Sequence, residues 1–340
     1  MTARTAADIH RDAVIVDGLG FGSDGYAGAL RAGNVAAINI TVVDVTGDFE
    51  RCCDDMATWC ARLDAPDSPW HLVLRTGDIA AARAAGKIGL IMGWQNMRPI
   101  ADRLERLVLF QRLGVRVMQL TYNERNFLAS GCLEPSDDGL SAFGRRAVAE
   151  MNRLGIAVDL SHVGERSCLD TAAASSQPVL VTHANAKAVS NAPRNKSDAV
   201  IKAVAATGGL IGASVYGPMC WNGDGARRPN LSDYVRHVEH IVDLVGIAHI
   251  SLGTDFPIVG DLSKVSHIIE RTMARYPGAV TKYAAAFGND VRTRYLSDCT
   301  SPEDLPTLTA ALVARGWSEG DVRALLGGNL IRVLARIWGG

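Results

Sequence analysis

The chain has 340 residues, 48% of them hydrophobic, and its 35 lysines and arginines nearly balance 36 aspartates and glutamates. That length and apolar share suffice for one large core, and so even a charge balance supplies no field to attract a polyanion or an anionic membrane surface, so nucleic acid and membrane are excluded as expected partners. The seven cysteines include no Cys-x-x-Cys pair, and Cys52 and Cys53 are adjacent, so they read as reduced thiols rather than a disulfide framework.

The N-terminus lacks the apolar stretch of a secretory signal and no run reaches about eighteen apolar residues, so a cytoplasmic protein is expected. A short helix over 6–11 precedes a first strand at 14–17, and a second strand follows at 37–43. The spacing of Phe49, Met56 and Trp59 predicts a helix over 48–63; residues 88–92 then form a third strand that runs into Gly93-Trp94-Gln95-Asn96. A fourth strand covers 115–121. After a helix over 141–154 comes the fifth, Val158-Asp159-Leu160-Ser161-His162, and after a helix near 165–175 the sixth, Val179-Leu180-Val181-Thr182-His183. The seventh strand is 210–214. A polar insertion at 221–230 and a helix over 232–244 lead to the eighth, 249–253, which ends in Thr254-Asp255, and helices from Asp261 and from Ser318 close the chain.

Eight short apolar runs alternating with helices predict a parallel sheet covered on both faces, and the count favours a closed (β/α)8 TIM barrel, one domain over 1–340 with short terminal extensions. No Gly-x-Gly-x-x-Gly follows the first strand, which removes the main sign of a dinucleotide fold.

Chemistry in such a barrel sits at the C-terminal strand ends. The predicted rim collects Asp17, Thr41, Gln95, Asn96, Tyr122, Asn123, Asn126, His162, His183, Ser214 and Asp255. His162 and His183 end consecutive strands, which would let two imidazoles share one metal ion; the plainer reading is a pair of core histidines satisfied by carbonyls. Asp255 reads as a carboxylate that ligates a metal or takes a proton from a bound water, or as a simple cap. Arg194 is either a solvated loop arginine or a planar fork for a substrate carboxylate. Cys132 reads as a small buried hydrophobe, and His237 with His240 as a solvated helix face. His10, His71 and His249 take the same plain reading, with His267 close enough to the mouth to stay open.

On these residues the chain resembles the membrane dipeptidase (renal dipeptidase, peptidase M19) family of amidohydrolase-like barrels, almost end to end. The resemblance is carried by Leu113-Gly114-Val115-Arg116, Leu120-Thr121-Tyr122-Asn123-Glu124-Arg125-Asn126 and Asp138-Gly139-Leu140-Ser141-Ala142-Phe143-Gly144. Further along it rests on Asp159-Leu160-Ser161-His162, Thr182-His183 with Arg194-Asn195 and Asp198, Gly253-Thr254-Asp255-Phe256, and Gly328-Asn329-Leu330-Ile331-Arg332-Val333-Leu334. It implies a zinc dipeptidase with two metals, one on a His-x-Asp after the first strand, one on the histidines of strands five and six, and a glutamate from strand three bridging both. It further implies that His162 and His183 hold the second metal, that Arg194 binds the substrate carboxylate and that Asp255 handles the proton.

Three positions depart from that pattern. Leu19-Gly20 stands where the His-x-Asp belongs, Gln95 replaces the bridging glutamate, and Tyr122 replaces the histidine that follows strand four in many members. Two divalent ions about 3.5–4 Å apart repel strongly and need bridging anions, which a neutral glutamine does not provide. The expected function is therefore a dipeptidase-like hydrolase of a small carboxylate-bearing amide or dipeptide, with one zinc or other divalent ion on His162, His183 and Asp255. Tyr122, Gln95, Asn96 and Asn126 are expected with Arg194 around the substrate. A metal-free enzyme on a small anionic metabolite and a non-catalytic ligand-binding barrel stay open as alternatives. A homodimer is expected, with the apolar residues 331–338 either in that contact or packed within one subunit.

Overall fold

The apolar runs form strands because their residues are buried on both faces, the environment of a parallel sheet sheathed by helices. In the computed structural model, which describes residues 4–21, 24–256, 274, 281–288 and 290–339, nine strands join one sheet. They are β1 (Ile15–Gly20), β2 (Val35–Thr41), β3 (Trp70–Leu72), β4 (Ile88–Trp94), β5 (Val115–Gln119), β6 (Ala157–Asp159), β7 (Val179–Val181), β8 (Leu210–Ala213) and β9 (Ile250–Leu252). Parallel pairing runs β1-β2-β4-β5-β6-β7-β8-β9, with β3 attached to β4 outside that path. The circle closes where Gly20 bridges Phe256 and the Asp255 N–H donates to the Leu19 carbonyl at 2.9 Å. The eight-strand barrel expected from the sequence is thus observed. β3 has no counterpart among the expected strands, because three residues are too few to show a period; its Trp70 packs edge-on against Trp59, 6.0 Å between ring centroids.

Helix boundaries follow local capping chemistry. Asp48 accepts from the Arg51 N–H ahead of Phe49–Asp64, and Ser141 from the Gly144 N–H ahead of Ala142–Leu154, which stops at Gly155 in a left-handed conformation (φ 66°). The helix expected from Asp261 lies outside the described residues, as does His267.

The C-terminal helix Asn329–Trp338 decides which end of the barrel stays open. Leu330, Val333, Leu334 and Ile337, at helical spacing, pack on Val16, Ala37, Ile91, Val117, Leu180 and Leu210 near the strand starts. Asn329 seals that end by donating to the Ile247 and Ile250 carbonyls. The apolar C-terminus is therefore buried within its own subunit, and of the two roles expected for it the intramolecular one holds. Among the described residues no helix is long and apolar enough to cross a membrane.

Above this apolar floor, glycines let the backbone close in on the barrel axis. A Cβ on Gly253 or Gly212 would come within 1.8 or 2.0 Å of the Thr182 carbonyl oxygen, so only glycine admits β7 at that distance. The approach fixes the chain immediately before His183.

Candidate active site

His162 and His183 lie just past the ends of β6 and β7, both buried, at the open end of the barrel. Their Nε2 atoms face each other at 3.2 Å. Two imidazoles on one tetrahedral ion, with metal–nitrogen bonds of about 2.0–2.1 Å, hold their nitrogens about 3.3 Å apart. The pair therefore fits two positions of one coordination sphere. Burial, then the positive charges of Arg194 and Lys196, pushes both histidines well below their usual pKa, with His183 adding to the effect on His162. Both are consequently neutral near pH 7, the form in which imidazole binds metal or accepts a proton.

Each ring is held from behind. His162 Nδ1 lies 2.7 Å from Asn123 Oδ1, and His183 Nδ1 lies 2.8 Å from Thr182 Oγ1. Tyr122 stacks on the His162 ring with centroids 4.1 Å apart and planes 26° from parallel. Beneath them, buried Asp159 accepts from the Ser161 and Thr182 hydroxyls at 2.6 and 2.7 Å and from both of their N–H groups. Asp159 and Thr182 were absent from the expected site, although both belong to stretches that carry the family resemblance, and strand alternation turns residues 159, 161 and 182 toward the barrel interior.

Arg194 closes one side. Its Nε donates to the Ser161 carbonyl at 3.3 Å and its Nη2 to the His183 carbonyl at 3.0 Å, so the loop arginine is anchored beside both histidines rather than solvated. Nη1 has no hydrogen bond among the described residues. Asp255 sits in the same mouth, half-buried, with φ of 59°. That left-handed backbone is pinned by its N–H on Leu19 and by the Tyr295 hydroxyl, which donates to the Asp255 carbonyl at 2.6 Å. Burial, opposed by Arg194, raises the Asp255 carboxyl to about 7. Among the described residues no three His, Cys, Asp or Glu side chains converge as an ion-holding set, so the geometry assembles the imidazole pair but not Asp255 as its third ligand.

The opposite wall is neutral. A His-x-Asp begun at Leu19 would end at Phe21, and neither residue offers a ligand. Gln95 is buried and donates to Thr41 Oγ1 at 2.8 Å; among the described residues its Oε1 has no partner, and Asn39 Oδ1 on β2 is likewise buried and unpaired. Asn96 and Asn126 bond each other at 3.0 Å and otherwise bond to loop backbone, so their amides organise the rim more than they face a ligand. This wall does not fit the first metal of the two-metal pattern. Asp17, expected at the rim, lies below it in β1, held by Thr254, with burial raising its carboxyl to about 6.

The family pattern described as membrane dipeptidase (peptidase family M19) matches residues 54–278 of this sequence. The chain belongs to the membrane dipeptidase family. Relatives agree with that assignment. Among them are dipeptidase tcpJ of Claviceps purpurea, 30% identical over 77% of this chain and 54% of that protein, and uncharacterized dipeptidase C965.12 of Schizosaccharomyces pombe, 34% identical over 58% and 50%. The chain spans about half the length of these curated relatives. By contrast it covers 100% of a solved amidohydrolase from Pseudomonas aeruginosa, with 99% of this chain aligned, 30% identity and a TM-score of 0.85. Within this member of the membrane dipeptidase family, the imidazole pair and Arg194 occupy one side of the mouth and the neutral substitutions the other.

Three plainer expectations also change. His237 is fully buried, not solvated: its Nδ1 accepts from the Ala186 N–H and burial pushes its pKa to about 4, because the helix Leu231–Val245 turns that face onto the barrel. Cys132 is half-buried rather than core, its thiol donating to Asn123 Oδ1 at 3.5 Å. His10 is likewise buried rather than solvated, its Nδ1 2.8 Å from Thr309 Oγ1, and His240 pairs with Asp198 at 2.8 Å.

Proposed function

We propose that this member of the membrane dipeptidase family is a metal-dependent hydrolase of a small amide or dipeptide bearing a free carboxylate, working with one divalent ion rather than two. The observation that carries the reading is the pair of neutral, buried imidazoles whose Nε2 atoms face each other at 3.2 Å beside Arg194. When bound there, a zinc or similar ion supplies Lewis-acid polarisation and a more acidic water. Arg194 is already fixed through two of its nitrogens and turns the remaining Nη1 to a substrate carboxylate, a charge-assisted hydrogen bond. Asp255, whose carboxyl is raised to about 7 and whose backbone is pinned by Tyr295, in its carboxylate form takes a proton during attack and, as the acid so formed, returns it to the leaving amine. The Tyr122 ring covers one face of His162 and excludes water from it. We read the chain as one catalytic unit. All seven cysteines are free, which supports a reducing, cytosolic setting, and a homodimer is carried over from the family resemblance.

Elemental analysis of protein purified without added metal, and again after zinc is offered, tests this reading. About one ion per chain, lost in His162→Ala and His183→Ala, with turnover of dipeptides or N-acyl amino acids, is expected. No metal under either condition would sink it.

A further inference from the structure

The nitrogens that face away from the imidazole pair control what the pair can bind, because a neutral imidazole carries one ring proton and the partner of one nitrogen sets the state of the other. For His162 the partner is the Asn123 side-chain oxygen, which has no proton to give and also accepts from the Cys132 thiol. His162 must therefore carry its proton on Nδ1, leaving Nε2 bare.

For His183 the partner is a hydroxyl, which can act either way, so the rest of the network decides. Three donors, the Ser161 hydroxyl and the N–H groups of Ser161 and Thr182, converge on Asp159 Oδ1 and favour its anion against the burial that raises this carboxyl's pKa. Among the described residues the Thr182 hydroxyl is the sole donor to Oδ2, at 2.7 Å. The Ser161 proton is committed to Asp159 at 2.6 Å, while its oxygen accepts from the His183 N–H at 3.1 Å. With its own proton on Asp159, the Thr182 oxygen is left as the acceptor for His183 Nδ1–H at 2.8 Å. The opposite arrangement, Nε2–H on His183 donating to His162, requires Thr182 to turn its proton to His183 and strips Oδ2 of its donor.

We propose that Thr182, oriented by Asp159, is a positioning residue that locks His183 as its Nδ1–H tautomer, so that two bare Nε2 atoms converge on a single cation. Two lone pairs 3.2 Å apart with no proton between them repel, so the fold stores a demand for positive charge there. The glycines at 18, 212 and 253 serve the same end, since they let the Thr182 backbone sit deep enough for its hydroxyl to reach Asp159. The inference rests on the one-ion reading above, yet the ring protons can be observed without any ion.

The test is 15N NMR of histidine-labelled, metal-free protein at pH 8, with Zn2+ affinity by equilibrium dialysis. Wild type is expected to show Nδ1–H and bare Nε2 on both rings. Thr182→Val should move His183 toward Nε2–H and weaken Zn2+ binding about 10–100-fold, the usual cost of losing a partner behind a ligand, while Thr182→Ser restores both. An Nε2–H on His183 in the wild type, or a wild-type His183 signature in folded Thr182→Val, overturns the proposal. If the valine variant does not fold, the wild-type spectrum alone decides. Wild type that shows the expected tautomers but takes up no zinc defeats the one-ion reading and leaves the positioning role standing; zinc uptake with Nε2–H on metal-free His183 does the reverse.

Discussion

The two sides of the barrel mouth are built on opposite terms. On the β6–β7 side each functional group has a partner behind it: Asn123 behind His162, Thr182 and Asp159 behind His183, and two carbonyls behind Arg194. On the β1–β4 side Leu19, Phe21 and Gln95 supply no anion, and among the described residues the buried oxygens of Gln95 and Asn39 have no partner. A ligand survives only with its supporting network, because an imidazole without a fixed tautomer binds metal poorly. Without an anion on the β1–β4 side, a second cation placed there would have nothing to offset its repulsion from one held by the imidazole pair.

The largest effect expected from breaking this contrast is in His162→Ala or His183→Ala, which should abolish both bound metal and turnover while the barrel still melts cooperatively, as followed by elemental analysis and circular dichroism. Next is Asp255→Asn, expected to lower kcat about 10²–10⁴-fold, the range for a positioned acid–base group. In the metal-free protein the Asp255 carboxyl titrates near 7, and a bound cation pulls that value down, so zinc should shift the acid limb of any pH profile to lower pH. The same group links stability to pH. Its folded pKa lies above the unfolded 3.8, so the folded state holds the extra proton and this contribution is lost as pH rises from about 4 through 7. Asp255→Asn should flatten that decline, as measured by denaturant melts across the interval; an unchanged slope would show that Asp255 is not the group responsible.

Arg194→Met should raise KM about 10–100-fold, matching the loss of a charge-assisted contact of about 1.5–3 kcal/mol, and should leave metal content untouched. Substrates lacking a carboxylate should be indifferent to it. The smallest effect is expected on the neutral wall. Gln95→Glu restores a carboxylate without Leu19 or Phe21 becoming ligands, so the metal count should stay at one while stability drops by about 1–3 kcal/mol at pH 8 from a poorly compensated buried charge. A rise to two ions per chain would mean that the missing glutamate alone had limited the site.

How much of this was legible in the chain differs by element. The strand runs from 88, 115, 179 and 210 start where expected, since continuous β-branched burial leaves a clear mark, and caps such as Asp48 and Ser141 announce their helices. The strand ends were overestimated: β6 and β7 stop at Asp159 and Val181, and the histidines stand in the turns beyond. His237 was misjudged because two histidines three residues apart do not show which face of a helix meets the core. Asn96 and Asn126 were expected at the substrate because amides at a rim look alike in sequence, whereas their bonding to each other depends on two loops meeting.

By itself the sequence determined the barrel and set two histidines just past consecutive strands, for these are local properties of periodicity and residue type, while the family resemblance alone marked Leu19, Phe21 and Gln95 as departures from a two-metal pattern. Only the tertiary structure decided that Nε2 faces Nε2, that Arg194 is held rather than solvated, that the apolar C-terminus plugs its own barrel, and that Thr182 and Asp159 stand behind the site. Each of those depends on distances between residues far apart in the chain, and a hydrogen bond or a coordination sphere is set to within tenths of an ångström that no local pattern encodes.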